Sequence, residues 1–314
     1  MKSLYFLIIV FSTFGLTIPK ADAQMREIEL FSERNSKSGI DIYAKTHVPG
    51  SFTVFIHFTS LENASHRSTF STVVYSDGKL LTLNPIVENK SVSCHYSYYS
   101  TRGYKPQKVD SAFIYRLPFS EKKTEPAKAF SLYNVRQQHL KDTVDNSWAS
   151  WQFMLNQGDT VFAIRKGLVI RIIDEHEPLH IGGNVSFSSK SNDITIEHED
   201  GTLSSYRVVE KGSFMVSVGD VVYPGTPLAK AGTYSKIDKH QIRIHIYYPE
   251  IDEVLAKNPP ENKSVFKSRY YNPFFLTSEG VQQFEHGKEY RAVSSNELVQ
   301  KEMSKKELKR VNKK

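Results

Sequence analysis

Within the C-terminal half of the chain, Gln241-Ile-Arg-Ile-His-Ile-Tyr247 alternates strictly between polar residues and isoleucine. A β-strand of that period puts Arg243, His245 and Tyr247 on one face and Ile242, Ile244 and Ile246 on the other. Three hydrogen-bonding side chains then share a surface while the isoleucines meet a core. An imidazole one strand step from a guanidinium suits the recognition of an anion. Arginine offers a bidentate fork to a carboxylate, and its fixed charge repels a divalent cation in the same cleft. One imidazole is also far short of a catalytic zinc centre, which takes three protein ligands and leaves a fourth position open. A half-buried structural histidine fits the same pattern. His176 and His180, four apart beside Glu175 and Glu177, fall in a segment that reads as a solvated loop.

The elements that must position these residues are strands throughout. Gly158-Asp-Thr-Val-Phe-Ala-Ile-Arg-Lys-Gly-Leu168 and Gly219-Asp-Val-Val-Tyr-Pro-Gly-Thr-Pro-Leu228 echo one another, with Gly-Asp two residues before an apolar position. Glycine there supplies tight turns between short strands. Between them lie the predicted strands Gly167–Ile173, Asp193–His198 and Leu203–Val209, with Asp200-Gly201 as a hairpin turn. Upstream, Ser51–Phe58, Thr69–Tyr75, Ser91–Tyr99 and Ser111–Leu117 are rich in β-branched and aromatic residues, and Ser76-Asp-Gly78 offers a turn between two strands. The expected fold is all-β. A leader covers residues 1–23, a β-sandwich-like domain 24–118, a charged linker 119–134, a second β domain 135–249, and an extension with a basic helix 250–314. Ser294-Ser-Asn-Glu297 reads as a capping box before that helix, whose narrow apolar stripe suits a solvated terminal element.

At 314 residues with 39% hydrophobic and 24% charged content, the chain can bury two modest cores. The leader runs from Lys2 through the apolar stretch Leu4–Leu16 to Ala21-Asp-Ala23, a small-x-small cleavage pattern, and predicts a periplasmic or secreted product. No run is long enough for a comfortable membrane span. Cys94 is the sole cysteine, so no internal disulfide forms, and it reads as a buried strand residue. The net charge of +7 owes much to the tail Lys301–Lys314; an anionic envelope surface is a better partner for it than nucleic acid.

Taken in order, Gly158–Ala163, Gly167–Ile170, Ile194–Gly201, Tyr206, Val218–Gly225 and Arg243–Ile246 resemble the lysostaphin/LytM-type zinc endopeptidases, over about a third of the chain, and Asn272-Pro273 resembles the motif that often closes that domain. The resemblance implies a duplicated hybrid motif β domain. Biotinyl- and lipoyl-type carrier domains share the Gly-Asp-x-Val hairpins, but no modified lysine is recognisable at a hairpin tip. In the peptidase family zinc is held by the His and Asp of an H-x-x-x-D type motif and by the second His of H-x-H; the first His of H-x-H and the His of Y-x-H flank the bound water. Here Gln152 stands at the Asp position, no histidine stands between Asn146 and Trp148, Val208 replaces the Y-x-H histidine after Tyr206, and Arg243 replaces the first His of H-x-H. His245 alone keeps its place. A register using His240 pairs it with Ile242 and fits no better. His198 matches the family's strand-end histidine, which is more often structural.

The resemblance with these replacements predicts no catalytic residue, no zinc cofactor and a non-catalytic peptidase-like envelope protein. It would bind peptidoglycan or regulate a cell-wall hydrolase through a cleft of Arg243, His245, Tyr247, Tyr206 and Gln152, with His245 a weak metal candidate. The alternative is an active zinc metalloendopeptidase that draws on His139, His245 and a displaced Asp142 or Asp145; a scaffold role is a third. Trp148 and Trp151 would fill the altered cleft or stack on sugar.

Overall fold

The computed structural model describes residues 26–134, 149–177, 190–234 and 240–311. The leader, His139, Asp142, Asp145, Trp148 and His180 lie outside the described residues.

The first six strands are β1 (Ile28–Arg34), β2 (Ile40–Thr46), β3 (Phe52–Glu62), β4 (Thr69–Val74), β5 (Gly78–Leu83) and β6 (Ser93–Arg102). They form two antiparallel sheets, in the orders β1-β2-β5 and β4-β3-β6. Phe52, Val54, Ile56 and Phe58 of β3 send alternate side chains into a core shared with Ile28, Ile42, Val74, Leu83 and Val92. Cys94 packs half-buried against the same core, and burial pushes its thiol up. Ser76-Asp-Gly78 does join two strands, but β4 and β5 belong to different sheets, so the turn is a crossing between layers and not a hairpin. Asp77 fixes it by accepting from the Thr46 N–H at 2.8 Å and the Thr46 hydroxyl at 2.9 Å.

The remaining strands are β7 (Ile114–Arg116), β8 (Ala127–Ser131), β9 (Trp151–Leu155), β10 (Thr160–Phe162), β11 (Gly167–Ile173), β12 (Asp193–Glu197), β13 (Leu203–Arg207), β14 (Val221–Val222), β15 (Pro227–Lys230), β16 (Gly232–Thr233), β17 (His240–Ile251), β18 (Phe266–Tyr270), β19 (Phe274–Thr277), β20 (Gly280–Gln282) and β21 (Glu289–Tyr290). Short helices among the described residues are α1 (Glu253–Lys257), between β17 and β18, and α2 (Asn296–Gln300) and α3 (Lys305–Val311) after β21. The main sheet runs β14-β11-β12-β13-β17-β9-β8-β21, with β16 and β18 also pairing along β17. β10 pairs with β15, and β20-β19-β7 closes the core with β19 and β7 parallel.

The sequence echo is a repeated turn. Asn156 donates its N–H to Asp159 at 2.9 Å and Ser217 donates its N–H to Asp220 at 2.8 Å; Gly158 and Gly219 sit at φ +78° and +99°, where a side chain is disfavoured. Each turn launches a valine, Val161 or Val222, into the core.

Three expected boundaries shift. β7, placed by sequence in the first domain, joins the second core through Phe113, Tyr115 and Leu117. β8 lies in the stretch that reads as a linker, yet it pairs with β9 and β21. Phe275, Phe284, Tyr290 and Ala292 carry the supposed extension into the same core.

Candidate functional site

Paired residues in a sheet share a face, so the register defines the surface. Asp193, Arg207, Arg243 and Gln152 form one row across β12, β13, β17 and β9. Arg171, Thr195, Ser205 and His245 form the next. Glu197, Leu203, Tyr247 and Tyr270 form the third. The opposite face carries Ile194, Ile196, Tyr206, Ile242, Ile244 and Ile246 into the core.

Arg243 is buried, with its guanidinium 4.8 Å from the centre of the Tyr234 ring and its Nε donating to Gln241 at 3.4 Å. Burial brings Arg243 down to about 10; Tyr234 opposes the fall, and Arg207 directly across the strand adds to it. It remains a cation at neutral pH. His245 is also buried and shares a 3.2 Å hydrogen bond between Nε2 and the Ser150 hydroxyl. Burial first, then the charges of Arg207 and Arg243, lowers His245 to about 3, so the imidazole is neutral. Burial raises Tyr247 to about 12, with Tyr270 and Asp193 adding to the shift. Asp193 is held above the usual carboxylate range by burial, against the pull of Arg171, Arg207 and His176, and its Oδ1 is buried without a hydrogen-bond partner.

This is a desolvated cationic surface with a neutral imidazole in it. His245 and Tyr247 both titrate far from the value near 7 that suits a general acid or base. The buried guanidinium of Arg243 and the partly buried one of Arg207 are suited to a carboxylate or another oxyanion.

The structure brings Arg243, His245, Tyr247 and Gln152 to one face. Tyr206 is a correction. Its side chain belongs to the opposite face, fully buried, and its hydroxyl accepts the Ile164 N–H at 2.8 Å. Trp151 also packs on the core side, against Phe284, with Nε1 donating to Asn272 at 2.9 Å; it neither fills the cleft nor presents a sugar platform. His240 shares the parity of Ile242 and is likewise off the polar face. Buried His198 donates Nδ1–H to the Lys166 carbonyl at 2.7 Å, while His176 is fixed through its backbone to the Asn192 amide. Arg207, Asp193 and Ser205 were missed by sequence reasoning. Their only local signal is their parity with Leu203 or Thr195, which becomes informative once the pairing with β17 is known.

Val208, at the position of the Y-x-H histidine, sits at φ +69°, a strained conformation for a β-branched residue. Asn192 O accepts its N–H, and its own carbonyl accepts from Gly232 N. Among the described residues, no group of three or more His, Cys, Asp or Glu is placed to hold a metal ion. With Arg243, Gln152 and Val208 at the positions the resemblance assigns to metal chemistry, and His245 bonded to Ser150, these donors do not fit a three-ligand zinc centre.

The first β unit closes one end of this face. Ser51 donates both N–H, at 2.8 Å, and hydroxyl to the Glu197 carboxylate, and Arg102 donates to the Ile170 carbonyl at 2.6 Å. A cavity of about 690 Å³ remains between the units, bordered by Arg102 and Thr101 on one side and Arg171, Thr195 and Tyr247 on the other.

No protein-family model and no curated protein matches this chain. Solved structures resemble it at a distance. A peptidase M23 from Pseudomonas aeruginosa is 12% identical, matching 70% of this chain and 87% of its own with a TM-score of 0.29. The deep-sea M23 metalloprotease pseudoalterin is 14% identical over 58% of this chain and 99% of its own, also at 0.29. Helicobacter pylori Csd3 is 8% identical over 70% of this chain and 72% of its own, at 0.29. At that level the likeness carries no argument about activity.

Proposed function

We propose that the chain is an exported, non-catalytic, peptidase-like envelope protein whose polar sheet face binds an anionic group of a cell-wall peptide; a cell-wall hydrolase that it regulates is the alternative partner. The observation that carries this is the Arg207 and Arg243 pair, facing each other across β13 and β17 beside the neutral His245. The ordered motif series of the sequence supports a LytM-type descent for the second β unit, the leader supports export, and the two separate cores support a two-unit chain.

A carboxylate held by Arg243 exchanges water for a charge-assisted hydrogen bond, a gain of about 1.5–3 kcal/mol, or roughly 10- to 150-fold in affinity. The test is co-sedimentation of the full chain with isolated peptidoglycan. The proposal expects retention by the wild type and at least about tenfold weaker retention by Arg243→Ala. Equal retention of the two proteins removes the face as the site. No retention of the wild type, with capture of a wall hydrolase that depends on Arg243, moves the assignment to the partner reading.

A further inference from the structure

The C-terminal segment, expected to be a solvated helix, is clamped to the second unit. The Arg165 guanidinium donates to Glu302 at 2.7 Å through Nη2 and 3.0 Å through Nε, and to Asp200 at 2.9 Å through Nη1. Lys166 donates to the Glu302 carbonyl at 2.8 Å and to the Glu307 carboxylate at 2.9 Å, which also accepts the Tyr223 hydroxyl at 2.6 Å. The Tyr223 hydroxyl, Lys166 and Ser304, in that order, hold the Glu307 carboxyl below its usual range. The ring of Phe113 lies under both Arg165, at 3.9 Å, and Lys301, at 4.2 Å.

The attachment is one-sided in its chemistry. No residue of α2 or α3 is fully buried; Leu298, Val299, Met303 and Leu308 are only partly buried, and the charged attachment comes from two carboxylates on a basic surface. With the segment in place Arg165 is 4% exposed, and its guanidinium is also bonded to Thr202 and Tyr115, two residues of the second unit outside the segment. Glu302 is also one wall of a cavity of about 380 Å³ whose other walls include Lys166, His198, Val221, Tyr75 and Tyr104.

We propose that Arg165, Lys166, Tyr223 and Phe113 form a recognition surface for an acidic peptide segment, and that the chain's own C-terminus occupies it in cis and is displaced by such a segment of a partner protein. The outer pair, Lys166 with Glu307, is the more exposed of the two and is the one salt weakens, the screening length falling from about 10 Å at 0.1 M salt to about 3 Å at 1 M. A tethered segment competes at an effective concentration on the order of millimolar. A free peptide that binds at about 100 μM must therefore appear roughly tenfold weaker to the intact protein than to one whose tail has let go. Removal of Glu302 also opens the adjoining cavity to the incoming segment.

The experiment uses the full chain and a fluorescent synthetic peptide of residues 296–311. Glu302→Gln/Glu307→Gln should bind the peptide about tenfold more tightly than the wild type. Adding Lys166→Glu should abolish the gain, and a peptide with Glu302 and Glu307 replaced by glutamine should not bind. In the wild type, hydrogen exchange of the α2 and α3 amides should speed up between 0.1 M and 1 M salt while β12 and β17 stay protected, a readout that needs no variant. Tail protection that ignores salt and the double substitution overturns the proposal. So does a released tail whose site fails to bind the peptide in trans.

Discussion

A protein that keeps two imidazoles buried and neutral should lose stability in mild acid. His245 and His198 are each lowered to about 3, chiefly by burial, with Arg207 and Arg243 adding to the shift at His245 and Arg165 at His198. A depressed histidine contributes stability that is fully present above its unfolded value near 6.5 and is lost as pH falls toward the folded value, because the unfolded chain takes up the proton first. Between pH 7 and pH 5 the unfolded histidine fills almost completely while the folded one stays empty, which removes about 2 kcal/mol for each, or about 4 kcal/mol for the pair. The window lies above the titration of ordinary carboxylates. Urea unfolding followed by tryptophan fluorescence reads the right unit, since both tryptophans, Trp148 and Trp151, lie in or just before β9. His245→Gln should roughly halve the loss, to about 2 kcal/mol. A wild-type loss below about 1 kcal/mol, or a variant that keeps the whole loss, would refute the picture of a neutral imidazole set among fixed cations.

Tyr206→Phe should cost about 1–3 kcal/mol in chemical denaturation, because it strands the buried Ile164 N–H. Asp193→Asn should leave stability unchanged or raise it at pH 7: a carboxyl whose value burial has raised contributes stability below its unfolded value and loses it as pH climbs through the folded one, so the variant's advantage should vanish in acid. A clear loss at pH 7 would mean that Arg171 and Arg207 outweigh the burial. After zinc loading and dialysis, elemental mass spectrometry should find far less than one zinc per chain. About one zinc, lost in His245→Ala, would put a three-ligand centre back in play and draw its donors from beyond the described residues.

The sequence made β17 legible because its signal is local: three isoleucines alternate with polar residues, and the structure keeps that parity through its pairing with β9 and β13. The Gly-Asp echo was legible for the same reason, each turn being closed by its own aspartate. Arg207 was hidden because its importance comes from facing Arg243, a relation fixed by strand register and not by neighbours in the chain. Leu203-Ser-Ser-Tyr-Arg207 has no hydrophobic alternation to show which side is in, so the motif resemblance drew Tyr206 to the wrong face. β8, Ala-Lys-Ala-Phe-Ser, lacks the β-branched residues that mark strands and is set by pairing on both edges. The C-terminal clamp was unreadable for a related reason: Glu302 and Glu307 look like minor charges in a basic tail until Arg165 and Lys166 are brought beside them.

Anion binding by this face through Arg243, without a metal, can be read by calorimetric titration of the full chain with a wall stem peptide bearing a free C-terminal carboxylate, with its amidated form, and with chelator present. The carboxylate form should bind in the presence of chelator, lose that binding on amidation, and bind at least about tenfold more weakly to Arg243→Ala. Binding that depends on added zinc, or that ignores both the carboxylate and Arg243, would contradict that assignment.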